Sequence, residues 1–132
     1  MVTFDSIKQH FADLVAKGEN APSTANQYIT NIRKTLDDLD GMDDIADCIN
    51  HRVVKHITET YDHPGSRQGV FLSFLRAINT YPDLKAVVTQ AVLTSITEGF
   101  ELSKTQAKEL SIQRQLTETV ERMDSIIAKI EA

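Results

Sequence analysis

The chain has one cysteine, no tryptophan, five glycines, three prolines and fewer cations than anions. Each shortage excludes something. A single cysteine, Cys48, cannot close an internal disulfide, which fits a reducing compartment and excludes a disulfide-stapled secreted scaffold. The 14 Lys and Arg face 19 Asp and Glu, a net charge of -5, so the protein does not coat nucleic acid by bulk positive charge. No apolar run approaches the roughly 20 residues that span a bilayer. Met1-Val2-Thr3-Phe4-Asp5 has neither a basic region nor an apolar core and does not read as a signal peptide. No glycine follows Met1, and no cysteine ends the chain, so the common lipid anchors are not expected. The expected location is intracellular: cytoplasm, nucleus or the inside of a viral particle.

What is present is helical periodicity over 132 residues, enough for one domain with an appendage. Phe4, Ile7, Phe11, Leu14 and Val15 recur at helical spacing behind Thr3, and Gly18 suits the stop. A second helix is expected from Thr24 to Leu39, capped by Ser23, with Tyr28, Ile29, Ile32 and Leu36 on one stripe and Gly41 ending it. Asp43 or Asp44 can cap a short turn holding Ile45 and Cys48. Asn50 caps a third helix carrying Val53, Val54 and Ile57. Asp62-His63-Pro64-Gly65 is a turn signal, and Ser66 is expected to cap a fourth helix with Val70, Phe71, Phe74, Leu75 and Ile78 inward. Gly69 lies inside it, where it suits close packing. Pro82 opens a fifth helix with Leu84, Val87, Val88, Ala91, Val92 and Ile96 on its apolar face. Gly99 marks an expected break or kink, and the chain is divided there into a bundle over 1–98 and a C-terminal helix over 99–132.

Beyond Gly99 the character changes. Leu116, Val120, Met123, Ile127 and Ile130 alternate at spacings of four and three, the a/d pattern of a short coiled coil. Leu110 and Ile112 fall out of that phase, and Gln113 and Glu109 occupy the a and d places upstream. A helix with so narrow a face is marginal alone in water and needs a partner. Its stripe packs on the chain's own bundle, on a second copy, or on another protein's helix.

The chemistry-bearing residues form no convincing site. Asp47, Cys48 and His51 share a helical face, but zinc sites show a second ligand pair at short spacing, and His56 and His63 do not supply one. Asp38, Asp40 and Gly41 mimic part of a calcium loop whose first ligand would then be Leu36, which defeats it. No nucleophile elbow, phosphate-binding glycine loop or His-Glu-x-x-His is present. No catalytic residue, metal, cofactor or small-molecule substrate is therefore expected, and the protein is not read as an enzyme. For nucleic acid, helix N-termini and their hydroxyls are good phosphate partners. Ser23, Thr24, Gln27 and Lys34 on the second helix, Arg52 and Lys55 on the third and Arg67 on the fourth are the candidate DNA-backbone contacts. The segment from Pro22 to Val87 nonetheless holds 7 cations against 9 anions. Any cationic face is therefore local, and Arg33, Lys34, Arg52, Lys55 and Arg67 would have to converge away from Asp43, Asp44 and Asp47.

Ser23-Thr24-Ala25-Asn26-Gln27-Tyr28-Ile29-Thr30-Asn31-Ile32-Arg33-Lys34-Thr35-Leu36 resembles the opening of the core-binding domain of tyrosine recombinases and phage integrases. An amphipathic segment like Phe4 to Val15 precedes that opening in the family, and an acidic-apolar turn like Leu39 to Ile49 follows it. Pro64-Gly65-Ser66-Arg67 with Val70, Phe71 and Leu75 is similar to the domain's later helix. The resemblance covers roughly residues 3–85 and implies a four-helix, SAM-like clamp that touches DNA backbone and neighbouring protomers. The family's catalytic domain has no counterpart in the segment that follows, and none of Tyr28, Tyr61 or Tyr81 takes the nucleophile's place. The fold expected is thus all-α: a four- to five-helix SAM-like orthogonal bundle followed by a long C-terminal helix. The function expected is a non-catalytic DNA-associated protein that self-associates through that helix. The alternative is a structural or adaptor oligomerisation protein, of viral or mobile-element origin, that binds no nucleic acid.

Overall fold

The computed structural model describes residues 2–43, 45 and 48–131. Asp44 and Asp47, weighed above as a cap and as a metal ligand, lie outside the described residues. The fold is all-α, with six helices and no strand among the described residues.

Helix α1 spans Phe4–Ala16. Thr3 starts it as expected: its hydroxyl accepts from the Ser6 amide while Ser6 Oγ accepts from the Thr3 amide at 2.9 Å, a reciprocal capping box. Gly18 ends it in the left-handed region at φ 74°. The Glu19 and Gly18 amides return to the Leu14 and Val15 carbonyls, so the last turn closes on itself.

Helix α2 spans Pro22–Asp38. Pro22 is its first residue and Ala21 its cap, so Ser23 lies inside the first turn rather than capping it. At its end Asp40, not Gly41, takes the left-handed conformation at φ 55°. Gly41 serves a different need: a Cβ there would come within 2.5 Å of Cys48 Sγ.

Helix α3 spans His51–Thr60 behind the Asn50 cap, whose side-chain oxygen accepts from the Arg52 amide at 2.7 Å. Helix α4 spans Pro64–Thr80. His63 caps it through Nδ1, which accepts from the Gly65 amide at 3.1 Å, so Ser66 is again inside the first turn. Both displaced caps share one cause. A proline with its fixed φ starts each helix earlier than the hydroxyl residue would, at Pro22 rather than Thr24 and at Pro64 rather than Arg67.

Helix α4 is the centre of the molecule. Val70, Phe71, Ser73, Phe74, Leu75, Ala77 and Ile78 are all buried, and α4 packs against α2, α3, α5 and α6. The core around it joins Phe4, Ile7, Phe11 and Leu14 of α1 to Ile32 and Leu36 of α2 and Val53 and Ile57 of α3. Buried Ser73 is satisfied, since its hydroxyl donates to the Gly69 carbonyl at 2.8 Å and accepts from Asn31 Nδ2 at 3.0 Å.

The C-terminal third corrects the expectation most. The fifth helix does not run on to a break at Gly99. Helix α5 is short, Pro82–Val87, and Val88 is extended. Thr89 then accepts from the Val92 amide, and α6 runs from Gln90–Glu131 without interruption. Two successive β-branched residues, Val88 and Thr89, with a capping hydroxyl on the second, locate the break. Gly99 lies inside α6 because α6 crosses α4 there. A Cβ at Gly99 would meet the Phe71 ring at 2.7 Å. Gly69, expected to permit close packing, faces open space instead.

Candidate interaction surface

Helix α6 has two halves with different surroundings. Val92, Ile96 and Ser103 are buried, and Gly99, Gln106 and Ala107 are partly covered, so the first half is held on α4 and α3. Arg67 fastens this half at its end. Its guanidinium donates to the carbonyls of Tyr61 and Asp62 at 2.9 and 3.0 Å and to Gln106 Oε1 at 2.7 Å. One planar fork thereby ties α6 to the turn between α3 and α4.

From Lys108 to Ile130 every residue is exposed. At 1.5 Å per residue this half extends about 35 Å. It carries large apolar side chains along its whole length. Leu116, Val120, Met123 and Ile127 are 49–62% exposed, and Ile130 is 78% exposed. The five positions predicted for self-association therefore lie on one solvent-facing stripe of a single helix. Ile112, Ile126 and Leu110 are also exposed. Ile126 was not among the expected residues because a strict a/d template passes over the g position beside it. Ile112 falls out of phase for the same reason.

The stripe does not continue the seam on the head. At about 100° per residue, Val92, Ile96, Gly99 and Ser103 centre on one side of α6. Ile112, Leu116, Val120, Met123, Ile127 and Ile130 centre roughly 140° around the axis from them. The side that does continue the head seam beyond Ala107 holds Leu110, Arg114, Thr117 and Glu121, which with His63 line an open hollow of about 550 Å³. The apolar stripe thus points away from the chain's own bundle.

The candidate DNA contacts are spread over the head. Ser23 and Thr24 are exposed on the first turn of α2. Gln27 donates to Asn31 Oδ1, and with Tyr28, Tyr61 and Ser66 it lines a hollow of about 420 Å³ between α2 and α4. Lys34 Nζ lies 5.0 Å above the Tyr61 ring, while its neighbour Arg33 lies 5.3 Å above the Phe4 ring on the α1 side. Arg67 is committed to its three oxygens. Arg52 and Lys55 are exposed on α3, and Arg52 is close enough to Cys48 to act on its thiol alongside Asp40. Lys34 and Arg67 are thus gathered around Tyr61 and Arg52 is near the acidic turn, with Arg33 on a third side.

The Cys48 and His56 side chains serve the fold. Burial pushes the thiol of the free, buried Cys48 up from its ordinary value. His56 Nε2 meets Asp38 Oδ2 at 3.1 Å and ties α3 to the end of α2. No group of three His, Cys, Asp or Glu suited to a metal occurs among the described residues. Among them, too, no helix is long and apolar enough to cross a membrane. Comparison with family models, with curated proteins and with solved structures finds no match to this chain.

Proposed function

We propose that this protein is a helical assembly module: a six-helix fold that joins copies of itself through the exposed half of α6. One observation carries the reading. A solvent-projecting helix presents Leu116, Val120, Met123, Ile127 and Ile130 on one stripe, turned away from the helical bundle of the same chain. A contiguous apolar surface of this kind marks an interaction site. A second copy is the occupant that best suits its chemistry. Paired in register, each apolar layer meets its own kind, and Gln113 at an a position meets Gln113. The segment from Lys108 to Glu131 holds four cations and five anions, so it has no strong sign to match to an oppositely charged partner.

For the head we retain the SAM-like, integrase-core-like arrangement as a proposal. It is supported by the sequence resemblance over residues 3–85 and by the core shared among α1, α2, α3 and α4. Phosphate contact by the head has weaker support, because Arg67 already serves three oxygens of the chain and Arg33 and Lys34 face different neighbours. Adaptor or scaffold assembly is the function the geometry supports best.

The test is the mass in solution. Light scattering on the full chain is expected to give a multimer at tens of micromolar. Val120→Asp with Ile127→Asp is expected to give a folded monomer. A wild-type chain that stays monomeric throughout that range sinks the proposal, and a multimer that survives both aspartates moves assembly to another surface.

A further inference from the structure

Resting on the self-association just proposed, we infer that the assembly is a parallel three-stranded one, in which each α6 tail contacts two neighbouring tails. The width of the apolar face sets the number of neighbours it needs. A two-stranded coiled coil buries a narrow seam of a and d positions, whereas a bundle helix shows a stripe of about 100° or more that takes in e or g as well. Here the a positions are Gln113, Val120 and Ile127, and the d positions are Leu116, Met123 and Ile130. Two of the three g positions, Ile112 and Ile126, are isoleucine, with Thr119 between them. From Ile126 to Val120 the face spans roughly 120° of the helix. A single partner helix leaves the two g isoleucines in water. In a three-stranded assembly the neighbour on the g flank covers them while the second neighbour packs on the a flank.

The residue types point the same way. The last heptad has isoleucine at both a and d, a choice that shifts preference from two strands to more. The a/d pattern is clean for only about two heptads, so the area buried per residue weighs heavily in this segment. A third helix compensates by covering more of each chain along the same length. Parallel orientation follows from the layers. An antiparallel pairing that matches Leu116 with Ile127 and Val120 with Met123 places the Gln113 amide against Ile130. The parallel register places the Gln113 amides together, where they satisfy one another and specify alignment.

The head permits this arrangement. The side of α6 that packs on α4 lies roughly 140° from the centre of the stripe, so three heads radiate outward while the three stripes meet at the axis. No cation or anion occupies a g position at Ile112, Thr119 or Ile126, so parallel neighbours bring no like charges together there. The balanced charge of the segment and its lack of aromatic residues fit a helical partner rather than an anionic lipid surface.

The experiment is multi-angle light scattering on the full chain across a concentration series, with Ile112→Lys/Ile126→Lys as the diagnostic variant. The wild type is expected to reach three times the 14.8 kDa chain mass. Lysines at g remain wet in a two-stranded coil but are forced into the contact in a three-stranded one. The variant is therefore expected to fall to a smaller species at concentrations where the wild type is trimeric. Circular dichroism confirms that its head is folded. A wild-type mass of two or four chains overturns the strand number and leaves self-association standing. A variant that stays trimeric overturns the argument from the g positions. A monomeric wild type overturns self-association itself, and this inference with it.

Discussion

The glycines of this chain show how little a residue type says until its neighbour is known. Gly69 and Gly99 both lie inside helices, and from sequence the first suits close packing and the second a break. Their roles are reversed, because the deciding fact is what crosses above each residue. A side chain at Gly99 would drive into Phe71, which is 1% exposed and has nowhere to move. Gly69 faces nothing within 4 Å. Gly99→Ala is therefore expected to lower stability by about 1–3 kcal/mol through overpacking. Gly69→Ala should raise it by up to about 1 kcal/mol by removing backbone freedom from a helix interior. Denaturant midpoints of the two variants move in opposite directions if this reading holds, and two shifts of the same sign refute it. His10 supplies a second residue-scale test. Its ring stacks on Tyr81 at 4.7 Å between centroids, and its Nε2 lies 2.8 Å from Thr80 Oγ1. The Thr80 hydroxyl donates to the Arg76 carbonyl at 2.6 Å, so it accepts from His10, which places the imidazole proton on Nε2. Burial holds the His10 pKa below its usual 6.5. Asp13 opposes that shift and Lys17 and Arg76 add to it, with a smaller upward pull from Glu19. The folded protein thus takes up a proton at His10 less readily than the unfolded chain. The associated stability is complete above about pH 6.5 and declines as pH falls through that value toward the folded pKa. His10→Gln should flatten the fall in melting temperature between about pH 7.5 and pH 5.5; an unchanged slope rejects the assignment.

Elements were legible where periodicity and local caps coincide. Helix α1 has an apolar residue at each inward place, Thr3 with its capping box at one end and Gly18 at the other, and it forms where the pattern puts it. The Asn50 cap of α3 was equally plain. Starts at Pro22 and Pro64 were less so, because Ser23 and Ser66 are better caps by type, yet proline at the first helical position sets the φ of the opening turn. The boundary between α5 and α6 was hidden for a different reason. Val87, Val88, Ala91 and Val92 continue one apolar rhythm across it, and only the extended Val88 and the Thr89 hydroxyl break the helix. Candidate-site residues divide along the same line. The α6 stripe was legible because exposure and spacing on a single helix need no tertiary knowledge. Arg67 was not, since its partners come from the turn at Tyr61 and Asp62 and from Gln106, 39 positions away. What reads as a cation available to phosphate is the clamp that sets where α6 leaves the head. Ile126 was missed by a template too narrow for the face it belongs to.

At the scale of the whole molecule, two parts with different sources of stability share one continuous helix. The head has its own buried core, which runs from Val2 to Ile96. The half of α6 from Lys108 to Ile130 is exposed at every residue, so it lacks the packed face that gives most protein helices their stability. If copies assemble through that half, its helicity depends on association, and association depends on concentration. Thermal melting followed by far-ultraviolet circular dichroism should then show two steps. The first, loss of the tail helix with dissociation, should carry roughly a fifth of the helical signal and move upward as protein concentration rises. The second, melting of the head, should not depend on concentration. In Val120→Asp/Ile127→Asp the first step should disappear and the starting signal should be smaller by about the same fraction, while the head transition stays in place. A head transition that moves with concentration would place the interface on the bundle instead. A tail that keeps its full helicity in the monomeric double variant would show that α6 stands unaided, and the link between assembly and folding of the tail would be lost.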